Sequence, residues 1–171
     1  MKISVYIAAS LDGFIANNTG AVDWLEAIEG DGDNGYGRYY SEVDAVVMGR
    51  KTYEVILGFD IPFPYRGKDC FVLTNQLTGS NEDVTFINGT VDDLMSALST
   101  KNYKKAWVVG GGMLISELMN RHLIDELIVT VAPVLLGNGI SLFSDITDFH
   151  ALRLTDTTRY GQLVEMRYVV K

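Results

Sequence analysis

"WVVGGGMLISEL", residues 107–118, joins an apolar run to a helix-like one through three successive glycines. Glycine loses more backbone entropy on folding than any other residue, so a triple glycine marks a special geometry or a close approach. Read alone, Gly110-Gly111-Gly112 is a phosphate cradle, a tight turn that packs strand on helix, or both. It fits neither the GxGxxG nor the GxxxxGK[ST] pattern, so the choice depends on the rest of the chain.

Working outward, strand-like runs lie at Ile3–Ala9, Asp44–Met48, Asp69–Leu73, Val84–Ile87, Ala106–Val109 and Glu126–Ala132. Leu152–Arg159 and Leu163–Val170 flank "RYGQ" and predict an antiparallel hairpin. Helix-like segments fall between the strands. Val91–Ser99 sets Val91, Leu94, Met95 and Leu98 on one face, with Thr90 and Asp93 spaced as in a capping box. Others are predicted from Gly112, over Lys51–Ile56, and around Tyr36–Ser41. Alternation of this kind implies a three-layer α/β/α sandwich. Its sheet has about eight strands by this reading, mostly parallel, with an antiparallel C-terminal hairpin. No repeat or linker divides the 171 residues, and one domain over 1–171 is expected.

Composition excludes several classes. Apolar residues make up 47% and charged residues 21%, which is globular and not disordered composition. The net charge of -8 argues against a nucleic-acid binder, which needs clustered Lys and Arg. An anionic ligand must then be held by a few local donors. The single cysteine, Cys70, has no partner for a disulfide or a metal set and reads as a buried thiol. No signal peptide or spanning segment is evident, so a soluble, cytoplasmic protein with no metal is expected.

A second junction matches the glycine run. "VVMGRKTYE", residues 46–54, also leaves the carboxyl end of a predicted buried strand and opens a helix. Ligands of open α/β sheets bind at that edge, where helix N-termini offer unpaired N–H groups to anions. Gly49 lets the backbone approach, Arg50 and Lys51 bring charge, and the Thr52 hydroxyl can donate to a phosphate oxygen. Two such junctions in one chain suit a split diphosphate site.

The ordered set "IAASLDGFIA" (7–16), "DWL" (23–25), "VMGRKTYE" (47–54), "FVLTNQ" (71–76), "VVGGGMLISELM" (108–119) and "IDELIVTVAPVLLGNGISLF" (124–143) resembles the dihydrofolate reductase fold. More narrowly, it resembles stand-alone proteins similar to the C-terminal reductase domain of riboflavin biosynthesis. The resemblance implies an NADPH site. Gly49, Arg50, Lys51 and Thr52 match the segment on the pyrophosphate and 2′-phosphate. Leu73, Thr74 and Asn75 match the strand end beside the adenosine. Gly110, Gly111 and Gly112, with Met113, Leu114 and Ile115 behind them, match the run beside nicotinamide and pyrophosphate. The first Gly–Gly bond of that run is cis in the family. Ala8 and Ile15 match contacts near the nicotinamide carboxamide.

The resemblance also implies substrate-side residues. Asp33, in "EGDGDNGYGRYY" (29–40), falls where folate reductases carry a helix carboxylate, and it is equally a helix N-cap. Thr130 matches the threonine bonded to that carboxylate, with strand packing as its other reading. Lys68 aligns with an arginine that clamps the folate carboxylate, a replacement that loses the bidentate fork. Ile115 replaces a tyrosine common behind the nicotinamide. Asp12, in "SLDGF", is either a turn residue or a carboxylate that serves the pocket or orients its lid. Trp24 can wall the substrate pocket or pack under the lid.

These residues imply NADPH-dependent hydride transfer to a small pterin- or pyrimidine-like heterocycle, with Asp33, Asp12 and Thr130 as catalytic candidates and Trp24 and Lys68 as substrate contacts. A second reading keeps the nucleotide site and drops turnover. "VAPVLLGNGISLF" (131–143) is apolar enough to serve a homodimer interface, which is carried as an expectation.

Overall fold

The computed structural model describes all 171 residues. In chain order the elements are β1 (Lys2–Ser10), β2 (Phe14–Ala16), a 3-10 turn (Asp23–Leu25), α1 (Tyr36–Ser41), β3 (Ala45–Gly49), α2 (Arg50–Leu57), β4 (Asp69–Thr74) and β5 (Gly79–Ser80). They continue with β6 (Thr85–Asn88), α3 (Val91–Ser99), β7 (Lys105–Gly110), α4 (Gly112–Asn120), β8 (Glu126–Ala132), β9 (Ile140–Ser141), β10 (Leu152–Tyr160) and β11 (Leu163–Val170).

Nine strands form one sheet in the order β10-β11-β8-β1-β7-β3-β4-β6-β5, and β2 pairs with β9 apart from it. From β8 to β6 every neighbouring pair is parallel. Those strands are apolar runs because both of their faces are covered. On β3, Ala45 and Val47 enter one core, while Val46 and Met48 enter the other. The first core is closed by α3 and α4 through Val91, Leu94, Leu98, Leu114, Ile115 and Leu118. The second is closed by Tyr39 of α1 and by Tyr53 and Ile56 of α2, against Trp107 and Cys70. The result is the three-layer sandwich the alternation predicts.

The sheet exceeds the expected eight strands because β5 adds a second antiparallel edge, on β6. β2, β5 and β9 are two or three residues long, too short to show a period in sequence. At the start of α3 the Asp93 carboxylate accepts the Thr90 N–H at 2.7 Å and the Thr90 hydroxyl at 2.9 Å, as the spacing suggests. No helix is long and apolar enough to cross a membrane.

Leu118 is 1% exposed between α4 and the sheet. Leu118→Ala should lower the unfolding free energy by about 2–5 kcal/mol, measured by urea denaturation with an unchanged slope.

Candidate functional site

The carboxyl ends of β1, β3, β4 and β7 open into one groove of about 1210 Å³. Its middle is the meeting of the two glycine junctions. A methyl group built on Gly49 would lie 4.0 Å from both the Gly110 carbonyl oxygen and the Gly111 nitrogen. Gly49 and Gly111 are the N-caps of α2 and α4, both in extended conformation, and no side chain caps either helix. The first N–H groups of a helix have no intrahelical acceptor, so two uncapped donor sets border one groove. The Thr52 hydroxyl lies 3.4 Å from a methyl built on Gly111, at the junction of the two.

The three glycines have different tasks. The Gly110–Gly111 peptide is cis, as the resemblance implies, and Gly110 sits at φ 142°, where a side chain is strongly disfavoured. Methyls on Gly110 or Gly111 would meet nothing closer than 3.4 Å. Gly112 is different, because a methyl there would lie 2.1 Å from the Ser141 carbonyl oxygen on β9. It is a packing glycine. The first two border the groove, and the third lets α4 start against the flap formed by β2 and β9.

Around these glycines the groove gathers Ala8 of β1, Ile15 of β2, Arg50, Lys51 and Thr52 of α2, and Leu73, Thr74 and Asn75 at the end of β4. Met113 and Leu114 line it from α4, and Trp24 and Leu25 from the 3-10 turn. Arg50 is paired with Glu54 one turn on, whereas Lys51 makes no ion pair. At the α4 end the groove reaches Glu117 and Arg121, and Arg121 is held by Asp92 at 2.9 Å. Sequence reading missed Val22, Val55, Phe59 and Tyr65, which also line the groove. Their only signal was apolar character without period, which in sequence reads as core.

Five expected site residues do not join it. Asp33 lies outside the groove, two residues before Gly35, which is the N-cap of α1; its carboxylate accepts the N–H groups of Gly35 at 3.0 Å and Gly37 at 2.8 Å. Thr130 is buried in β8 between Ala8 of β1 and Glu165 of β11, with no hydrogen bond to Asp33. Glu165 is itself fully buried, where the Arg167 guanidinium pairs with its Oε1 at 2.8 Å and its Oε2 has no hydrogen-bond partner. Lys68 lies just before β4, at the amino end of that strand and away from the groove, and donates to the Val43 carbonyl at 2.6 Å. Ile115 points the other way along α4 and is fully buried in the core beneath the helix.

Asp12 is the fifth. Its carboxylate accepts the Ser10 hydroxyl at 2.6 Å and the amides of Leu136 at 3.1 Å and Gly137 at 2.7 Å. Those bonds, the Ser10 one foremost, hold its carboxyl below the usual carboxylate range. Asp12 therefore acts on the flap and not on a ligand. It ties the end of β1 to the loop that leads into β9 and brings Ile140 over the groove.

The fold is that of a dihydrofolate reductase-like α/β domain, with a groove at the strand ends. The chain matches the RibD C-terminal domain family over residues 68–165, more than half its length, and belongs to that family. It is 43% identical over 169 residues to the uncharacterized protein YwjB of Bacillus subtilis (strain 168), covering 98% of this chain and 97% of that one. The crystal structure of a putative riboflavin biosynthesis protein from Shewanella sp. PV-4 superposes with a TM-score of 0.91 at 32% identity, covering 100% and 99% of the two chains. A Thermotoga maritima diaminohydroxyphosphoribosylaminopyrimidine deaminase/5-amino-6-(5-phosphoribosylamino)uracil reductase shares the fold, with a TM-score of 0.73 at 14% identity. That match covers 98% of this chain and 56% of the larger protein.

Gly112→Ala should destabilise the fold by about 1–3 kcal/mol through overpacking against Ser141, while Gly111→Ala should melt within a few degrees of wild type. Equal melting temperatures for the two variants would contradict the division of tasks. The depressed Asp12 pKa gives its interactions a pH signature. They stabilise the fold above the unfolded carboxyl pKa of about 4 and are lost as pH falls through the lower folded value. Asp12→Ala should thus lower the melting temperature clearly at pH 7 and much less at pH 3.

Proposed function

We propose that the protein is an NADPH-dependent reductase that transfers hydride to a small heterocycle. The observation that carries this reading is the pair of uncapped helix starts at Gly49 and Gly111 bordering one groove, close enough that a methyl built on Gly49 would lie 4.0 Å from the Gly111 nitrogen. Two adjacent sets of free N–H donors suit the two phosphates of a diphosphate, and the positive helix ends favour its charge. Membership of the RibD C-terminal domain family supports a reductase-type function. The groove volume exceeds the ordinary range for one small ligand, which suits a dinucleotide and a substrate side by side.

In this reading the amides of residues 50–52 and 112–114 and the Thr52 hydroxyl hold the diphosphate. Arg50 and Lys51 supply cationic charge for the 2′-phosphate side. Leu73, Thr74 and Asn75 flank the adenosine, and Ala8 and Ile15 border the nicotinamide. Bound there, NADPH supplies the hydride. The protein contributes orientation, and the flap pinned by Asp12 contributes exclusion of water. Neither Asp12 nor Asp33 lines the groove, and the carboxylates that do, Glu117 and Asp145, stand with Asn120 and Arg121 toward the far end of α4, so the accompanying proton is assigned to water.

That neither expected catalytic carboxylate lines the groove favours, as the second reading, a nucleotide-binding module without turnover. Tight NADPH binding with no oxidation across pterins, pyrimidines and ribityl compounds would decide for that module. The cofactor assignment is tested by fluorescence titration with NADPH. Arg50→Ala and Thr52→Ala should each weaken binding by about 10-fold or more, the value of a charge-assisted phosphate bond. Unchanged affinity in both, or no binding by wild type, would remove the assignment. Asp33→Ala should leave affinity unchanged and cost only helix-start stability, about 0.5–2 kcal/mol.

A further inference from the structure

The cofactor assignment leaves part of the groove's lining unclaimed, and toward the 3-10 turn and the end of α2 that part comprises Val22, Trp24, Leu25, Val55, Phe59 and Tyr65. We infer that it takes an uncharged, flat heterocycle that carries no phosphate, with the Trp24 indole N–H donating to a carbonyl or ring nitrogen on its edge. This inference rests on the reductase reading above and adds the substrate class to it.

The first ground is a donor without an acceptor. The Trp24 indole nitrogen is buried and has no hydrogen-bond partner in the protein. Indole nitrogen only donates, and a buried one ordinarily finds a partner. Trp24 stands in the groove wall, where a ligand can supply that acceptor. Tyr65 adds a second neutral group. Its hydroxyl makes no hydrogen bond within the protein, and burial pushes its phenol well above the ordinary range, so it stays protonated.

The second ground is shape. The chain before the 3-10 turn packs directly on α2, since a methyl built on Gly20 would lie 3.4 Å from the Val55 side chain. Val22 and Leu25 come from the segment around that turn, and Val55 and Phe59 from α2 and the residues just after it. Two apolar walls with a few neutral donors match a planar ring with polar edges.

The third ground is charge. No Lys, Arg or His is among the wall residues, and the exposed Asp23, Glu26 and Asp60 stand beside them in the chain. Recognition of a phosphate monoester needs cations or free amides. The helix starts, Arg50 and Lys51 that could supply them are committed to the diphosphate half. The Thermotoga maritima protein is named for a phosphoribosylamino-uracil. None of the six wall residues offers such a phosphate a counter-charge.

The test is calorimetric titration of the full chain, cofactor-free and NADP⁺-loaded, with matched probes. These are uridine against uridine 5′-monophosphate, riboflavin against its 5′-phosphate, and lumazine as a bare ring. The uncharged member of each pair should bind at least about 10-fold more tightly, a difference of about 1.4 kcal/mol. Trp24→Phe, which keeps a ring and removes the N–H, should weaken lumazine binding about 10-fold and leave NADP⁺ affinity alone. Val55→Lys should reverse the preference toward uridine 5′-monophosphate, a gain that a misfolded variant cannot produce. Equal or tighter binding of the phosphorylated probes by wild type would overturn the inference. So would an unaffected Trp24→Phe, or a protein that binds NADP⁺ and none of the rings. Loss of NADP⁺ binding alone would instead sink the reductase reading, because the cofactor-free titrations still report on this part of the groove.

Discussion

The structure turns on the close approach of two chain reversals, at Gly49 and at Gly110–Gly111. Adjacent parallel strands β3 and β7 end at the same level, and each delivers a helix start into the same space. Side chains at these positions would fill that space. Glycine at both keeps it open, and the absence of side-chain caps leaves both sets of helix amides free. The groove exists because two helices begin there without covering their own N–H groups.

The rest of the molecule maintains this arrangement. The two cores clamp β3 and β7 from both faces, so their ends cannot move independently. Gly112 lets α4 begin in contact with β9, and the pairing of β2 with β9 lays Ile15, Ala16 and Ile140 along the groove. Asp12 fastens that flap to the end of β1 through Ser10, Leu136 and Gly137.

Much of the architecture was legible in the sequence because buried parallel strands are short apolar runs punctuated by glycine. All eight expected strands form, and α1 and α3 occupy the expected residues. The glycine junctions and the β4 end also come together in one groove. The misplacements share a cause. Asp33, Thr130, Lys68 and Ile115 were assigned by alignment position, and position along an element does not say where a side chain points. Lys68 precedes β4 and so lies at the amino end of the strand, opposite the groove. Ile115 is on the right helix but faces the core. Asp33 has nearer acceptor duties at Gly35 and Gly37. The apolar part of the groove lining is illegible for a complementary reason: Val55 and Tyr65 look in sequence like any other core residues.

The central claim is that a dinucleotide lies across the two helix starts. The most direct measurement is a crystal structure of the protein with NADPH. The expected result is electron density for the diphosphate against the amides of residues 50–52 and 112–114, with the nicotinamide beside Ala8. A cofactor bound elsewhere on the surface, or a groove that stays empty at saturating NADPH, would contradict the account.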